Sequence, residues 1–339
     1  MTLTSLALTS LALALPASAL ASSYQPQKEI PIASEGGWDY LTVDPGSHRL
    51  FVAHGGEVVV IDTVTDAVIG TIADTPGVHG VAVAPDLGKL FVSAGRANAV
   101  KVVDSASLKT VSTIPTGKNP DAILYEPATR EVYAFNGRDK SVTVASAETG
   151  AVVATIPVDG KPEFAQADPA AGRVYDCIED KNEVVAIDAT THAVVAHWPI
   201  APAEGPTGLA IDTAHHRLFV GTDELLVILD SQTGAVVATV PVGDGVDAAA
   251  FDPGTATAFT SNGKSGTVSV VHEDDPGHFS LVQTLPTAVS ARTMQVDPVS
   301  HKLYLATARF DPVPEGSPKG TRPKMIPGSF KILVYGLGS

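Results

Sequence analysis

Glu131-Val132-Tyr133-Ala134-Phe135-Asn136 and Ser141-Val142-Thr143-Val144-Ala145-Ser146 are two runs of strand-forming residues separated by an Asn-Gly turn signal and three further residues. Aromatic and β-branched residues bounded in this way predict a hairpin. The second run ends at Ser146, and Asp62, Asp104, Asp188, Asp230 and His272 end equivalent Val/Ile-rich runs in register with it, each member of the series 42 residues after the last. A second series agrees. Pro45, Pro85, Pro127, Pro169, Thr213, Pro253 and Pro298 follow another apolar run at spacings of 40, 42, 42, 44, 40 and 45. A third consists of an apolar residue before proline, at Ile30-Pro31, Ile114-Pro115, Ile156-Pro157, Trp198-Pro199, Val240-Pro241 and Leu285-Pro286, with Ile72-Ala73 in the remaining place. A fixed period of this kind specifies a repeat architecture.

Each unit holds four strand segments; in the third copy they are Asp121 to Tyr125, Glu131 to Phe135, Ser141 to Ala145 and Ala151 to Val158. Four strands in about 42 residues is the period of a β-propeller blade, whereas helical repeats of that length need apolar spacings of three and four. Seven copies predict an all-β, seven-bladed β-propeller. Phe330 to Tyr335 reads as the third strand of the last blade, with only Gly336-Leu337-Gly338-Ser339 after it. The segment Tyr24 to Ile32 carries the fourth-strand signature ahead of the first inner strand. It is expected to complete the last blade and so remove the open sheet edges.

The chain has 339 residues, 22 of them basic and 37 acidic, a net charge of −15. Nucleic acid and anionic membranes are excluded as default partners, because both require a basic footprint. Leu3 to Leu15 form an apolar run followed by Pro16-Ala17-Ser18-Ala19-Leu20-Ala21-Ser22. This pattern predicts an export signal over residues 1–21, cleaved after Ala21 or Ala19, and the run is too short to span a bilayer. Residues 22–339 are then one propeller domain, periplasmic or secreted, without a membrane span and read as a monomer. The single cysteine, Cys177, excludes an intramolecular disulfide and sits in a strand pattern that predicts a small buried hydrophobe.

The second strands, Leu50-Phe51-Val52-Ala53-His54, Glu131 to Asn136 and Ala258-Phe259-Thr260-Ser261-Asn262, each lead to a strand such as Val58-Val59-Val60-Ile61-Asp62. In this the whole mature chain resembles the YncE-like family built from YVTN-type β-propeller repeats. The Asn that ends the family tetrapeptide stands at Asn136 and Asn262, while His54, Ala94, Ile178, Thr222 and Thr307 take its place elsewhere. The resemblance implies an exported seven-bladed propeller and says little about activity.

Six residues before each marker lie Asp39, His79, Asp121, Glu163, Thr207, Asp247 and Arg292. All begin inner strands, so they are expected to ring one mouth of the central channel, above an apolar ring of Leu41, Val81, Ile123, Ala165, Leu209, Ala249 and Met294. The second-strand ends add His54, Asn136, Glu179, Asp223 and Asn262 on the same face. A strand end can be polar simply because it meets water or caps a turn. Converging carboxylates, however, need a cation, Arg292 or raised pKa values to offset their repulsion. The expected ligand site is therefore Asp39, His54, His79, Asp121, Asn136, Glu163, Glu179, Asp247, Asn262 and Arg292, with His54, His79 and Glu163 as ligands to a divalent metal.

The insertion Arg309 to Ser329 falls in a loop on this face and is proline-rich and basic, through Arg309, Lys319, Arg322 and Lys324; it is expected to cover the mouth. His48, His215, His216, His301 and the acidic His272-Glu273-Asp274-Asp275 are expected as solvated turn residues on the opposite face. No Gly-x-Ser-x-Gly elbow and no Gly-x-Gly-x-x-Gly strand-to-helix turn is present. Two functions remain: an exported propeller binding a small molecule, metal complex or envelope protein at the ring, or a metal-assisted hydrolase or lyase of the lactonase type using the same residues.

Overall fold

The computed structural model describes residues 23–34, 36–318 and 320–338. The expected export signal, 1–21, lies outside them. Among the described residues, twenty-eight strands form seven four-stranded antiparallel sheets. The third blade comprises Pro120–Glu126, Glu131–Asn136, Ser141–Ser146 and Val152–Pro157, in chain order from the channel outward. The expected seven-bladed propeller is present.

Closure follows the predicted route. Tyr24–Pro31 pairs antiparallel with Lys331–Leu337, which in turn pairs with Lys302–Thr307, so the N-terminal strand is the outer strand of the last blade. Ile30 and Ile32 are buried in the cluster between the last and first blades, where they meet Trp38, Leu50 and Phe330. Tyr24 packs edge-on against Phe259, 5.2 Å between ring centroids, and its backbone exchanges two 2.9 Å hydrogen bonds with the Gln283 amide of blade 6.

Seven apolar clusters fill the seven blade interfaces. Second and third strands contribute to both sides because both faces of those strands are covered; Leu50–Ala53 and Val58–Ile61 are entirely buried. Cys177 is one of these fillers, between blades 4 and 5. Of the apolar ring expected beneath the mouth, Leu41, Val81, Ile123 and Ala165 line the channel cavity while also packing against a neighbouring blade, whereas Leu209, Ala249 and Met294 are buried in blade interfaces.

Inner strands end in acids that cap the next turn: Asp44 accepts from Gly46 N, Glu126 from Thr129 N, Asp252 from Gly254 N and Asp297 from Val299 N. The histidines on this side are not uniformly solvated. His301 Nδ1 bonds Asp252 at 2.6 Å, and His215 stands against Asp212 and Glu273. Glu273 also departs from the expected solvated turn: it lies inside the strand Thr267–Asp275 and is buried, whereas Asp274 and Asp275 are exposed. No described helix is long and apolar enough to cross a membrane.

Candidate functional site at the channel mouth

The ring depends on a recurring irregularity of the inner strands. Pairing between first and second strands slips at Trp38/Leu41, Val78/Val81, Pro120/Ile123, Pro162/Ala165 and Val246/Ala248. Asp39, His79, Asp121, Glu163 and Asp247 all fall within these slips. Bulging frees a residue from the alternation and re-aims its side chain, here to the mouth. Thr207 and Arg292 reach the same level differently, each immediately preceding a regular inner strand.

Blades 1 to 3 bring Asp39, His79 and Asp121 together. His79 Nδ1 lies 2.6 Å from Asp39 Oδ2 and 3.4 Å from Asp121 Oδ1. Burial disfavours the charged imidazole, but the Asp39 hydrogen bond and the Asp121 and Asp39 charges outweigh it and raise the His79 pKa. Burial, opposed by His79 and reinforced by Asp39, pushes Asp121 up to about 6. Gly95 makes room for this histidine: a Cβ there would stand 2.7 Å from His79 Nε2.

Blade 4 adds Glu163 and Glu179, both hydrogen-bonded by Lys161 Nζ. Burial and the facing Glu179 raise Glu163 to about 8, the Lys161 contact acting in the other direction. Beneath them Asp176 is fully buried, and burial together with the Glu163 charge holds its carboxyl well above the usual range, a contact with the Glu163 backbone acting in the other direction. Across the ring Arg292 pairs with Asp247 and donates to the Trp38 carbonyl at 2.9 Å, its guanidinium lying 5.8 Å from the Trp38 ring centroid. Burial raises Asp247 despite that partner. Tyr40 crosses below the ring, donating to the Glu163 carbonyl at 3.0 Å and meeting Phe164 edge-on. These two rings help to line a channel cavity of about 280 Å³ under the mouth.

The structure thus groups Asp39, His79, Asp121, Glu163, Glu179, Asp247 and Arg292 around one opening. His54, Asn136 and Asn262 stand apart from it. His54 is buried, stacked on Phe330 at 4.0 Å and hydrogen-bonded to Ser34, and burial lowers its pKa to about 4. Asn136 and Asn262 are buried inside their blades, where their amides bond Ser141 and Thr143, and Thr267 and Ser269. Asp223 pairs with Lys264 at the rim. The expected metal trio of His54, His79 and Glu163 does not assemble; at the mouth the ligand atoms that converge within 4.8 Å are those of Asp39, His79 and Asp121. The trio shares a face but not a radius, since a second-strand end lies a whole strand farther from the axis than a bulged inner strand.

Sequence reasoning missed Lys161. Its signal was available, for Gly37, Gly77, Asn119, Gly205, Gly245 and Ser290 hold that place in the other blades and only blade 4 carries a charge there. The insertion is rooted beside Arg292. Phe310 and Met325 form an antiparallel bridge, and Phe310 packs 6.0 Å from the Trp38 ring. Lys319 lies outside the described residues, and neither Arg309, Arg322 nor Lys324 pairs with a ring carboxylate.

No protein-family model and no curated protein sequence matches the chain. Solved structures similar to it include a chain of Kuenenia stuttgartiensis hydrazine synthase, at 16% identity and TM-score 0.71 over 86% of this chain and 95% of that one. The RRP9 WD40 repeats match at 12% identity and TM-score 0.75 over 93% and 99%. A chain of the mitotic checkpoint complex matches at 13% and 0.76 over 100% and 99%. Likeness at these identities is a likeness of fold.

Proposed function

We propose that the chain is an exported seven-bladed propeller, of the kind its YVTN-like strands resemble, that binds a divalent metal ion or a small metal complex at the acidic mouth of its channel. The observation that carries this reading is the convergence of Asp39, His79 and Asp121, three first-row metal donors within 4.8 Å of one another. Around them Glu163, Glu179 and Asp247 outnumber Lys161 and Arg292, and the raised pKa values of Asp121, Glu163 and Asp247 come first from burial, with neighbouring carboxylates adding to it. Export is supported by the apolar run and small-residue segment over residues 1–21.

The test is calorimetric titration of the mature chain with Zn²⁺ and Mn²⁺ beside the Asp121→Asn variant. Loss of one bound equivalent in Asp121→Asn supports the reading; unchanged binding in that variant overturns it.

A second reading, a metal-assisted hydrolase or lyase, is favoured by Glu163, whose pKa near 8 suits proton transfer close to neutrality. Under it, Glu163→Gln retains the metal and loses turnover of a lactone panel. A wild-type enzyme without turnover on that panel leaves binding as the function.

A further inference from the structure

We infer that the face opposite the channel mouth carries a second divalent-cation site, built from Asp212 and His215 of blade 5 and Glu273 of blade 6. Asp212 ends its inner strand, Gly208–Asp212, and is therefore at the other end of the blade from the ring. His215 Nδ1 lies 2.8 Å from Asp212 Oδ2 and 3.1 Å from Glu273 Oε1, and one ligand atom from each of the three residues lies within 4.8 Å of the others.

Turn capping accounts for Asp212 but not for Glu273. Asp212 Oδ1 accepts from Ala214 N at 2.9 Å, as the acids of other blades do at their own turns, and this leaves Oδ2 free of that duty. Glu273 occupies a place that the repeat reserves for small side chains: Thr63, Ser105, Ala147, Ala189 and Ser231 each donate their backbone N–H to the carbonyl of the preceding hairpin turn, as Glu273 does to Ala256. A carboxylate in that slot is specific to blade 6.

Glu273 is also unsatisfied. Its side chain is 2% exposed, and neither oxygen is reached by a donor with hydrogen-bond geometry among the described residues. It faces the Asp212 carboxylate, acceptor against acceptor. Tyr175 bonds the carbonyl of the equivalent Ser231 in the next blade, but the matching position before Glu273 is Phe219, which has no hydroxyl to offer. The nearby cation, Arg217, is engaged by Asp230 at 3.0 Å and by the Pro276 carbonyl at 2.7 Å. A buried carboxylate pair faced by a single half-exposed imidazole is costly, and a cation between them removes the cost.

The donor set identifies the class of ion. Two carboxylates and an imidazole suit Zn²⁺ or Mn²⁺ better than Ca²⁺, which takes six to eight oxygens. Donors about 2.1 Å from a tetrahedral ion stand about 3.4 Å from one another, and the His215 nitrogen lies a few tenths of an ångström inside that separation from each carboxylate. His215 is 47% exposed, which gives the ion an entry path and leaves its remaining positions to water. Because its ligands come from two blades, the ion acts as a clasp between them.

The experiment uses the mature chain, freed of metal by chelation and titrated with Zn²⁺ by calorimetry and thermal unfolding. Wild type is expected to bind a Zn²⁺ equivalent that Asp121→Asn retains and Glu273→Gln loses, with a rise of several degrees in the unfolding midpoint that is also absent from Glu273→Gln. The His215 imidazole resonances shift on loading in wild type. Equal stoichiometry in wild type and Glu273→Gln, with His215 unmoved, overturns the site and leaves the pair as two carboxyls sharing a proton. Glu273→Gln conserves shape, and its unfolding midpoint in chelator checks that lost binding is not lost folding. Failure at Asp121 with success at Glu273, or the reverse, separates this site from the one at the mouth.

Discussion

At the scale of single residues, three acids of the mouth, Asp121, Glu163 and Asp247, are kept from ionising first by burial and then by neighbouring carboxylates. Asp121 at about 6 and Glu163 at about 8 both lie above their ordinary values, so between about pH 4 and pH 8 the folded chain holds more protons than the unfolded one. Stability therefore falls as pH rises through that window, by an amount on the order of a few kcal/mol. The raised His79 acts in the same direction, because its stabilising charge is lost as pH rises. The expected outcome is an unfolding midpoint that drops from pH 5 to pH 8.5, with a shallower slope in Glu163→Gln; a slope unaltered by that substitution refutes the assignment. Cation affinity should rise over the same range, since the donors must shed protons to bind. Gly95 supplies a sharper test. Gly95→Ala places a methyl group against His79 Nε2 while touching no ligand atom of the trio, and is expected to weaken Zn²⁺ binding at the mouth about tenfold or more with the fold intact. Unchanged affinity there shows that His79 is not a ligand.

At the scale of elements, a shared spacing rule locates the site and a local defect aims it. Asp39, His79, Asp121, Glu163 and Asp247 occupy one place in the repeat, which the marker residues make legible. Their convergence depends on the slipped register of the inner strands, and hydrophobic alternation does not encode where a bulge falls. His54 shows the limit of such reasoning. Its position at a second-strand end put it on the right face, but the Phe330 ring and Ser34 hold it inside the interface of the last and first blades. The insertion belongs to this scale too. Its root, Phe310 and Met325, packs by Trp38, on which Arg292 rests, so the insertion starts from the margin of the mouth. Replacing 311–324 by a short Gly-containing turn, with Phe310 and Met325 retained, should leave the unfolding midpoint unchanged and speed Zn²⁺ exchange at the mouth. Equal exchange rates in both forms rule out a lid.

At the scale of the whole molecule, the ring is held shut by one strand. Tyr24–Pro31 buries Tyr24 and Ile30 and supplies the outer strand of the last blade, while Ile32 N–H bonds the Phe330 carbonyl at 3.1 Å. Each of the two isoleucines contributes about 1.5–3 kcal/mol by burial, and their loss also exposes the edge of Lys331–Leu337. Deleting residues 22–34 should lower the unfolding midpoint by many degrees and promote association through the bared edge, as read by calorimetry and light scattering. A monomer with an unchanged midpoint contradicts this account of closure.

The 42-residue period, the four strands per unit, the seven copies and the closing role of the N-terminal strand were all determined by the sequence alone. Each is a matter of apolar spacing and turn chemistry, which are local and repeat. Which side chains meet was decided by the tertiary structure. Lys161 reaches Glu163 and Glu179 at the mouth, and Glu273 lies buried against Asp212 on the far face, although its sequence context, His-Glu-Asp-Asp-Pro-Gly, reads as a solvated turn. The Lys161 contacts lie within blade 4, whereas Glu273 and Asp212 come from different blades, 61 positions apart. Bulge placement sets the first of these distances and the packing of one blade on the next sets the second, and no pattern of apolar spacing within a repeat carries the contact between blades.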